Sequence, residues 1–212
     1  MLTFILILIF LLVAGVLWFQ GLWSNAVTLI NMLLAMMLAV NYFEPLSDLI
    51  EKQQPSFTYL ADFLVLWGLF ALSFGVLRLA TDFLSRKRVA FSFWVETVGR
   101  SLLAIWVAWL FVAFTCASMH TAPLGAHPLG FQKTPQSGNF MGLAPGRSWL
   151  AFMQSSSRGA FSRGESDPAN RSRVEEDADI DARIFDPESR FILKYHQRRV
   201  NFEKEASYRA AK

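Results

Sequence analysis

The chain begins with MLTFILILIFLLVAGVLWFQGLWSNAVTLINMLLAMMLAVNYF, residues 1–43, and this stretch contains no Lys, Arg, Asp, Glu or His. In a helix that rises about 1.5 Å per residue, about 20 apolar residues cross a hydrocarbon layer about 30 Å thick. The stretch is therefore long enough to cross twice. Its main polar break, from Gln20 to Asn25, has the length of a tight turn between two helices. The sequence predicts a transmembrane hairpin at the N-terminus.

A cleavable signal peptide is the alternative for the first helix, and three features disfavour it. No basic residue precedes the apolar run, the run is long, and no pair of small residues at alternate positions closes it. We therefore expect the first helix to be retained as a span.

The chain as a whole divides into a membrane half and a polar half. Charged residues make up 17% of its 212 residues, against about 25% in typical soluble domains, and they are sparse before residue 120 and dense after it. We expect an all-α integral membrane protein with four transmembrane helices in residues 1–119 and a largely irregular C-terminal tail that contains short helices. The predicted spans cover residues 2–19, 26–43, 59–79 and 101–119.

The polar segments have three different compositions. Residues 44–56 carry three acidic residues and one lysine and predict an acidic loop. Residues 120–170 are rich in Gly, Pro and Ser and predict a linker. Within the linker, residues 146–154 predict a short helix on the membrane surface or on the bundle, with disorder as the alternative. Residues 171–212 predict a charged tail.

The basic side chains of this tail, among them Lys194 and Arg198, allow two interpretations. A basic patch of this kind contacts anionic lipid or nucleic acid. A solvated helix or an extended tail is the alternative, and the acidic residues between Glu175 and Glu188 favour it because they offset the positive charge. We expect the lipid bilayer as a partner, and no nucleic acid.

Orientation in the membrane follows from the basic residues that flank the spans. Arg86, Lys87 and Arg88 follow the third span, whereas residues 44–56 contain a single lysine. Basic loops stay on the cytoplasmic side, so these three residues set the predicted topology. With four spans, the acidic loop and both termini then lie on the non-cytoplasmic side.

Asn31 and Asp62 are polar residues inside or at the edge of the predicted spans. An acid within a bilayer is typical of a proton or cation path. The first turn of a helix, however, stabilises a carboxylate that has no such function. Asn31 bonds to a neighbouring helix in one interpretation; in the other, it faces a central path together with Asn41 and Asp62.

Small residues that let helices approach closely occur in the second and fourth spans. We expect Ala35 and Ala39 to pack against another helix. Ala104 and Ala108 make the fourth span a natural partner, and helices of other membrane proteins or of a second copy are further partners. The other candidate packing residues lie at span ends: Gly21, Gly99 and Arg100, the last spaced to pair with Glu96.

Motifs for catalysis or cofactor binding do not occur in the sequence. It has no Gly-rich phosphate loop, no Gly-x-Ser-x-Gly elbow and no Cys or His cluster at metal-ligand spacing. His120 and His127 have no neighbouring carboxylate or cysteine and form an incomplete metal shell. The single cysteine, Cys116, lies in an apolar run and predicts a buried side chain. We therefore expect no enzyme activity, catalytic residue, cofactor or metal.

The order of elements resembles the colicin V production protein (CvpA) family: two spans joined by a short turn, a polar loop, two further spans and a polar tail. Three segments carry the resemblance. They are Gln20-Gly21-Leu22, similar to the Arg-Gly-Phe turn of that family, Asn41-Tyr42-Phe43 before Pro45-Leu46, and Val98-Gly99-Arg100-Ser101-Leu102. The resemblance covers residues 13–117, and the tail is similar to those of long, planctomycete-type members.

The resemblance implies a non-enzymatic protein of the bacterial inner (cytoplasmic) membrane. It also implies an association with colicin V production or export, a toxin biosynthetic process, and with homeostasis of the bacterial envelope. We therefore expect an accessory or scaffold protein. A small homo-oligomeric membrane conduit or transporter subunit is the alternative.

Overall fold

The described residues of the computed structural model are all-helical, which confirms the all-α expectation. They are residues 2–53, 58–84, 91–122, 140, 142–158, 185–186 and 188–210, without the side chains of 58–59, 199 and 202–210. The helices are α1 (Leu2–Trp18), α2 (Leu22–Gln53), α3 (Thr58–Leu84), α4 (Phe93–Ser118), α5 (Pro145–Ser157) and α6 (Phe191–Ala210).

Three of these helices are long and apolar enough to cross a membrane: α2, α4, and α3 from Leu60 onward. Helix α1 is also apolar but has 17 residues, or about 26 Å at the helical rise. The described part of the chain thus contains three long candidate spans and one shorter apolar helix, where the sequence predicted four spans.

Helix α2 does not end where the second predicted span ends. It continues through Pro45, so the prediction of a loop is wrong for residues 44–53, and residues 54–56 lie outside the described part of the chain. A proline inside a helix costs about 3 kcal/mol. The fully buried Phe43 and Ser47, on either side of it, offset this cost by tertiary packing. The last turns extend α2 by about 15 Å beyond its apolar part.

Helix α4 begins at Phe93, eight residues before the predicted start of the fourth span. The carbonyl of Ser92 accepts a hydrogen bond of 2.9 Å from the backbone N–H of Glu96, which closes the first helical turn. The acidic side chain of Glu96 in that turn is also favourable, because the helix N-terminus carries partial positive charge.

The bundle is built around α2, which packs on α3 and α4, while α1 packs on α4. Its core combines small and aromatic side chains, so that the helices approach closely. The residues buried most completely include Ala35, Met36, Ala39, Phe43, Val107 and Phe114.

The described parts of the polar half form a cap on one end of this bundle. Helix α5 includes the predicted short helix and packs on the end of α4. The tail that we expected to be largely irregular contains the 20-residue helix α6. Before α6, the Asp186 carboxylate accepts hydrogen bonds from the backbone N–H groups of Arg190, at 2.6 Å, and Phe191, at 3.0 Å. An acceptor of this kind fixes the start of a helix.

The outward faces of α1, α3 and α4 are apolar. Their exposed side chains include Phe4, Leu11, Leu12, Leu64, Leu72, Leu79, Leu102, Ile105 and Trp106. Large apolar surfaces of this kind are typical of contact with lipid or with another protein. The fold is therefore compatible with a multi-pass membrane protein.

Candidate functional site

The polar side chains of the bundle gather at its two ends. On α2, Asn25 marks one end and Glu44 the other, about 28 Å apart at the helical rise. This separation matches the thickness of a hydrocarbon layer. The end near Asn25 holds the turn between α1 and α2, and the end near Glu44 holds the docked helix α6.

Asp62 is the centre of the cluster at the α6 end. Its side chain is 4% exposed and lies in the second turn of α3. The Ser47 hydroxyl donates a hydrogen bond of 2.6 Å to Asp62 Oδ1. Arg198 Nη1 lies 2.9 Å from Asp62 Oδ2. The buried carboxylate therefore has both a hydrogen-bond donor and a cation.

Arg198 joins this carboxylate to the extended part of α2, because its second terminal nitrogen pairs with Glu51 Oε1. One helical turn earlier on α6, Lys194 Nζ lies 2.8 Å from Glu44 Oε1. Two cations at i and i+4 on α6 thus meet acidic side chains of α2 and α3. Residues 191–198 are therefore part of a helix that is docked on the bundle, and not a solvated tail.

Aromatic contacts lie beneath these ion pairs. Phe43 is fully buried, and its ring centroid lies 6.3 Å from that of Phe191 and 6.4 Å from that of Tyr195. Phe191 and Tyr195 also contact each other, with centroids 4.8 Å apart. Residues at i and i+4 share one helix face, so α6 places its aromatic face on the bundle.

Burial also affects the titration of α6. It raises the pKa of Tyr195, as do the nearby charges of Asp62, Glu44 and Asp48, so the phenol stays protonated in the docked helix. Burial lowers the pKa of Arg198, and Asp48 and Glu44 oppose that change. A guanidinium remains charged at neutral pH, so Arg198 presents a cation to the carboxyl groups of Asp62 and Glu51.

The turn at the opposite end is tied to α4. Gly21 has a φ of +86°, which favours glycine, and the following N–H of Leu22 donates a 2.7 Å hydrogen bond to Glu96 Oε1. At Gly99 an added Cβ would lie 2.7 Å from Leu22 Cδ1. Two of the predicted packing residues, Gly21 and Gly99, therefore lie where the α1–α2 turn contacts α4.

Arg100 lies at the same end but its contacts differ from the expected pair. Its guanidinium carbon is 4.8 Å from the centre of a Trp18 ring, a cation–π geometry. Its backbone carbonyl accepts a 3.3 Å hydrogen bond from Asn25 Nδ2. Glu96, with which we expected Arg100 to pair, instead binds the backbone of Leu22.

We expect Glu96→Ala to lower the free energy of unfolding by about 1–2 kcal/mol, since it leaves the Leu22 N–H without a charged acceptor. Thermal unfolding in detergent measures this loss. Glu96→Gln keeps an acceptor oxygen and is the matched control, with a smaller expected effect. Equal losses for the two variants would contradict the role of the hydrogen bond.

Two of the three proposed polar-path residues, Asn31 and Asp62, do not come together. Asn31 Nδ2 donates a 2.8 Å hydrogen bond to Thr81 Oγ1 on α3, and Asp62 bonds to Ser47 on the same helix α2 that carries Asn31. Ser47 and Asn31 are about 24 Å apart along that helix. Both candidate residues are buried and bound within the chain.

The small residues of the spans pack against other helices of the same chain. Four of the predicted packing residues are buried between its own helices: Ala35, Ala39, Ala104 and Ala108. They are therefore not available to helices of another protein. This corrects the expectation that they also pack against helices of other membrane proteins or of a second copy.

The remaining predicted residues lie either outside the described part of the chain or buried at the end of α4. The topology-setting residues Arg86, Lys87 and Arg88 lie outside the described residues, as does His127. His120 is buried just after α4, and Cys116 is buried within it. Among the described residues, no group of three or more His, Cys, Asp or Glu side chains has the geometry to hold a metal ion.

Sequence reasoning missed the network of side chains to which Asp62 belongs. The sequence predicts a loop for Ser47 and Glu51, and for Arg198 either a basic patch or a solvated helix or extended tail. The signal was present as charge complementarity: α2 carries Glu44 and Glu51, and the distant tail carries Lys194 and Arg198 at helical spacing.

Comparison with known proteins gives no assignment: no protein family, no curated protein and no solved structure matches this chain.

Proposed function

We propose that this chain is a non-enzymatic accessory or scaffold protein of the bacterial inner membrane, similar to the CvpA family. In this proposal it supports colicin V production or export and envelope homeostasis. The sequence similarity of the α1–α2 turn and of the start of α4 supports the family assignment. The partners in the scaffold role are other membrane proteins, whereas a second copy is the partner in the alternative conduit role.

The observation that carries the scaffold role is the difference between the inside and the outside of the bundle. Inside, Asn31 and Asp62 are bonded to other side chains of the chain. Outside, α1, α3 and α4 offer apolar faces, and a folded cap covers one end. A protein whose apolar helix faces are exposed, and whose inner polar side chains are bonded to each other, suits assembly with other proteins better than transport.

The proposal includes four spans. Helix α1, at 17 residues, is at the lower limit of what crosses a bilayer. With four spans and a cytoplasmic loop at residues 86–88, the cap and both termini are non-cytoplasmic. A reporter enzyme that is active only in the cytoplasm should be inactive when fused after Lys212 and active when inserted at Arg88. The reverse pattern contradicts this topology.

Purification tests the scaffold role itself. Gentle detergent extraction of the tagged protein from its own membranes, followed by native mass determination, is expected to give a complex with foreign proteins in fixed stoichiometry. A homo-oligomer with nothing else bound would overturn the scaffold role.

A conduit is the second candidate, and the burial of an acid at the edge of α3 favours it. If Asp62 serves a cation path, Asp62→Asn changes ion leak in vesicles that contain the purified protein. If Asp62 only binds α6, the leak is unchanged and α6 loosens. Asn25→Ala is the control for a general loss of packing, since Asn25 is buried at the opposite end of the bundle and is not one of the polar-path candidates.

A further inference from the structure

A cleft in the cap has a volume of about 480 Å³ and lies between α5 and the start of α6. Pockets that bind small ligands have volumes of about 300–1,000 Å³, so the cleft has a suitable size. Leu150 and Ile192 supply part of its apolar lining. We call it the cap cleft and define it by its polar lining: Arg147, Ser148 and Gln154 of α5, and Asp186 and Ser189 of the turn before α6.

Hydrogen bonds hold the two walls of the cap cleft together. Gln154 Nε2 donates to the backbone carbonyl of Asp186, at 2.8 Å, and to Ser189 Oγ, at 3.2 Å. The Ser157 hydroxyl accepts a 2.9 Å hydrogen bond from the backbone N–H of Phe185. A cleft whose walls are tied in this way is formed before a ligand enters it, so binding does not have to order its residues.

The two walls of the cleft carry opposite charges. Arg147 on α5 is exposed, and among the described residues no carboxylate pairs with its guanidinium. On the other wall, the Asp186 carboxylate accepts two backbone hydrogen bonds at the start of α6 and has lone pairs for further donors. A guanidinium binds phosphate through paired hydrogen bonds, and a carboxylate accepts hydrogen bonds from an ammonium group. The cleft therefore fits a ligand with a phosphate at one end and an ammonium group at the other.

The cap cleft lies at the level where phospholipid head groups are expected. Gly146 of α5 packs on the backbone of Ala117, where an added Cβ would lie 3.1 Å from the nitrogen. Helix α4, a candidate span, ends one residue later at Ser118, so the cleft lies just beyond the hydrocarbon layer. Leu143 and Phe152, next in sequence to residues of the cleft, are 59% and 42% exposed. Exposed apolar side chains beside basic ones are typical of contact with a membrane surface.

We propose that the cap cleft binds a phosphoethanolamine group, with the phosphate on Arg147 and the ammonium group on Asp186. Its position favours phosphatidylethanolamine of the surrounding bilayer as the source, and free O-phosphoethanolamine has the same chemistry. A lipid bound in the cleft joins the cap to the membrane. The inference goes beyond the scaffold role and does not rest on it, because the site is formed by this chain alone.

Native mass spectrometry of the purified full-length chain in detergent measures the binding of added phospholipids with matched acyl chains. We expect phosphatidylethanolamine to bind at least about fivefold more tightly than phosphatidylcholine, whose quaternary ammonium group cannot donate a hydrogen bond to Asp186. Phosphatidylglycerol has no cation in its head group and is also expected to bind more weakly. Equal binding of the three lipids overturns the proposal.

Two variants test whether the lipid binds in the cap cleft. Arg147→Gln is expected to weaken the binding of phosphatidylethanolamine by at least about tenfold, because the charged contact with the phosphate is lost. Asp186→Asn keeps an oxygen that accepts the backbone hydrogen bonds of α6 and is expected to abolish the preference over phosphatidylcholine.

Arg158→Gln is the matched control. Arg158 is also exposed and lies at the C-terminal end of α5, but it does not line the cleft, so its loss should leave lipid binding unchanged. If Arg147→Gln and Arg158→Gln have the same effect, the lipid does not bind in the cap cleft.

Titration calorimetry of O-phosphoethanolamine with the delipidated chain separates the two sources of the group. We expect the lipid to bind more tightly than the free compound, because its acyl chains contact the apolar faces of the bundle. Tighter binding of the free compound, if Arg147→Gln abolishes it, retains the site and overturns the lipid as its ligand. If neither binds in a way that depends on Arg147, the cleft is not a phosphoethanolamine site. These results do not depend on which proteins are extracted with the chain, so they are independent of the scaffold role.

Discussion

Arg198→Gln is expected to release α6 from the bundle. Arg198 is 26% exposed and Asp62 only 4%, so the change leaves a buried carboxylate without its cation. Removing one partner of a fully buried pair costs about 3–5 kcal/mol, and partial exposure of Arg198 reduces this to about 2–3 kcal/mol. Hydrogen exchange of the α6 backbone measures local opening and should become about 30- to 150-fold faster.

Lys194→Gln is the matched control, since it removes a cation one helical turn away on the same face. Its pair with Glu44 is largely exposed, so the expected loss is about 0.2–1 kcal/mol. Combining Arg198→Gln with Asp62→Asn should recover part of the stability, because the uncompensated charge is then gone. Equal exchange rates in the Arg198 and Lys194 variants would refute a special role for the Asp62 pair.

Trp149→Ala is expected to detach α5 from the end of α4. The indole is 2% exposed and packs edge-on against Phe114, with ring centroids 6.1 Å apart. Truncation of a buried aromatic residue to alanine costs about 3–5 kcal/mol, because transfer free energy is lost and a cavity remains. Limited proteolysis of the detergent-solubilised protein should then cleave within residues 145–157, which the wild type protects.

Phe152→Ala is the matched control within the same helix. Phe152 contacts the Trp149 ring but is 42% exposed, so its loss is expected to cost about 1 kcal/mol or less. Gly146→Val tests the same contact independently, because Gly146 brings the backbone of α5 close to the backbone of α4. Its Cβ would lie 3.1 Å from the Ala117 backbone nitrogen, which cannot move aside as a flexible side chain does. If all three variants resist the protease as the wild type does, α5 is not held by this contact.

The helices of the membrane half were predictable because they depend on local composition. An uncharged stretch such as residues 1–43 has to satisfy its backbone polar groups internally wherever it meets lipid, and a helix does this without distant partners. The turn at Gly21 was predictable for the same reason, as a polar break between two apolar runs. The short helix near Trp149 followed from the spacing of its own apolar residues.

Helix ends were less predictable because they depend on contacts from elsewhere in the chain. Composition alone ends α2 at residue 43, where charge begins. The helix continues through Pro45 because α6 neutralises Glu44 and Glu51 and because Phe43 and Ser47 are buried by tertiary packing. Nothing within the α2 sequence indicates these contacts.

By itself, the sequence determined that this protein is helical, that it is rich in segments able to cross a bilayer, and that its charges lie mostly in the tail. Each of these is a property of neighbouring residues. The tertiary structure alone decided which charges meet. Lys194 and Glu44 are 150 residues apart in the chain. Their pairing depends on where the aromatic face of α6 packs on the bundle. Packing of that kind is a property of the whole fold, so no local pattern of residues specifies it.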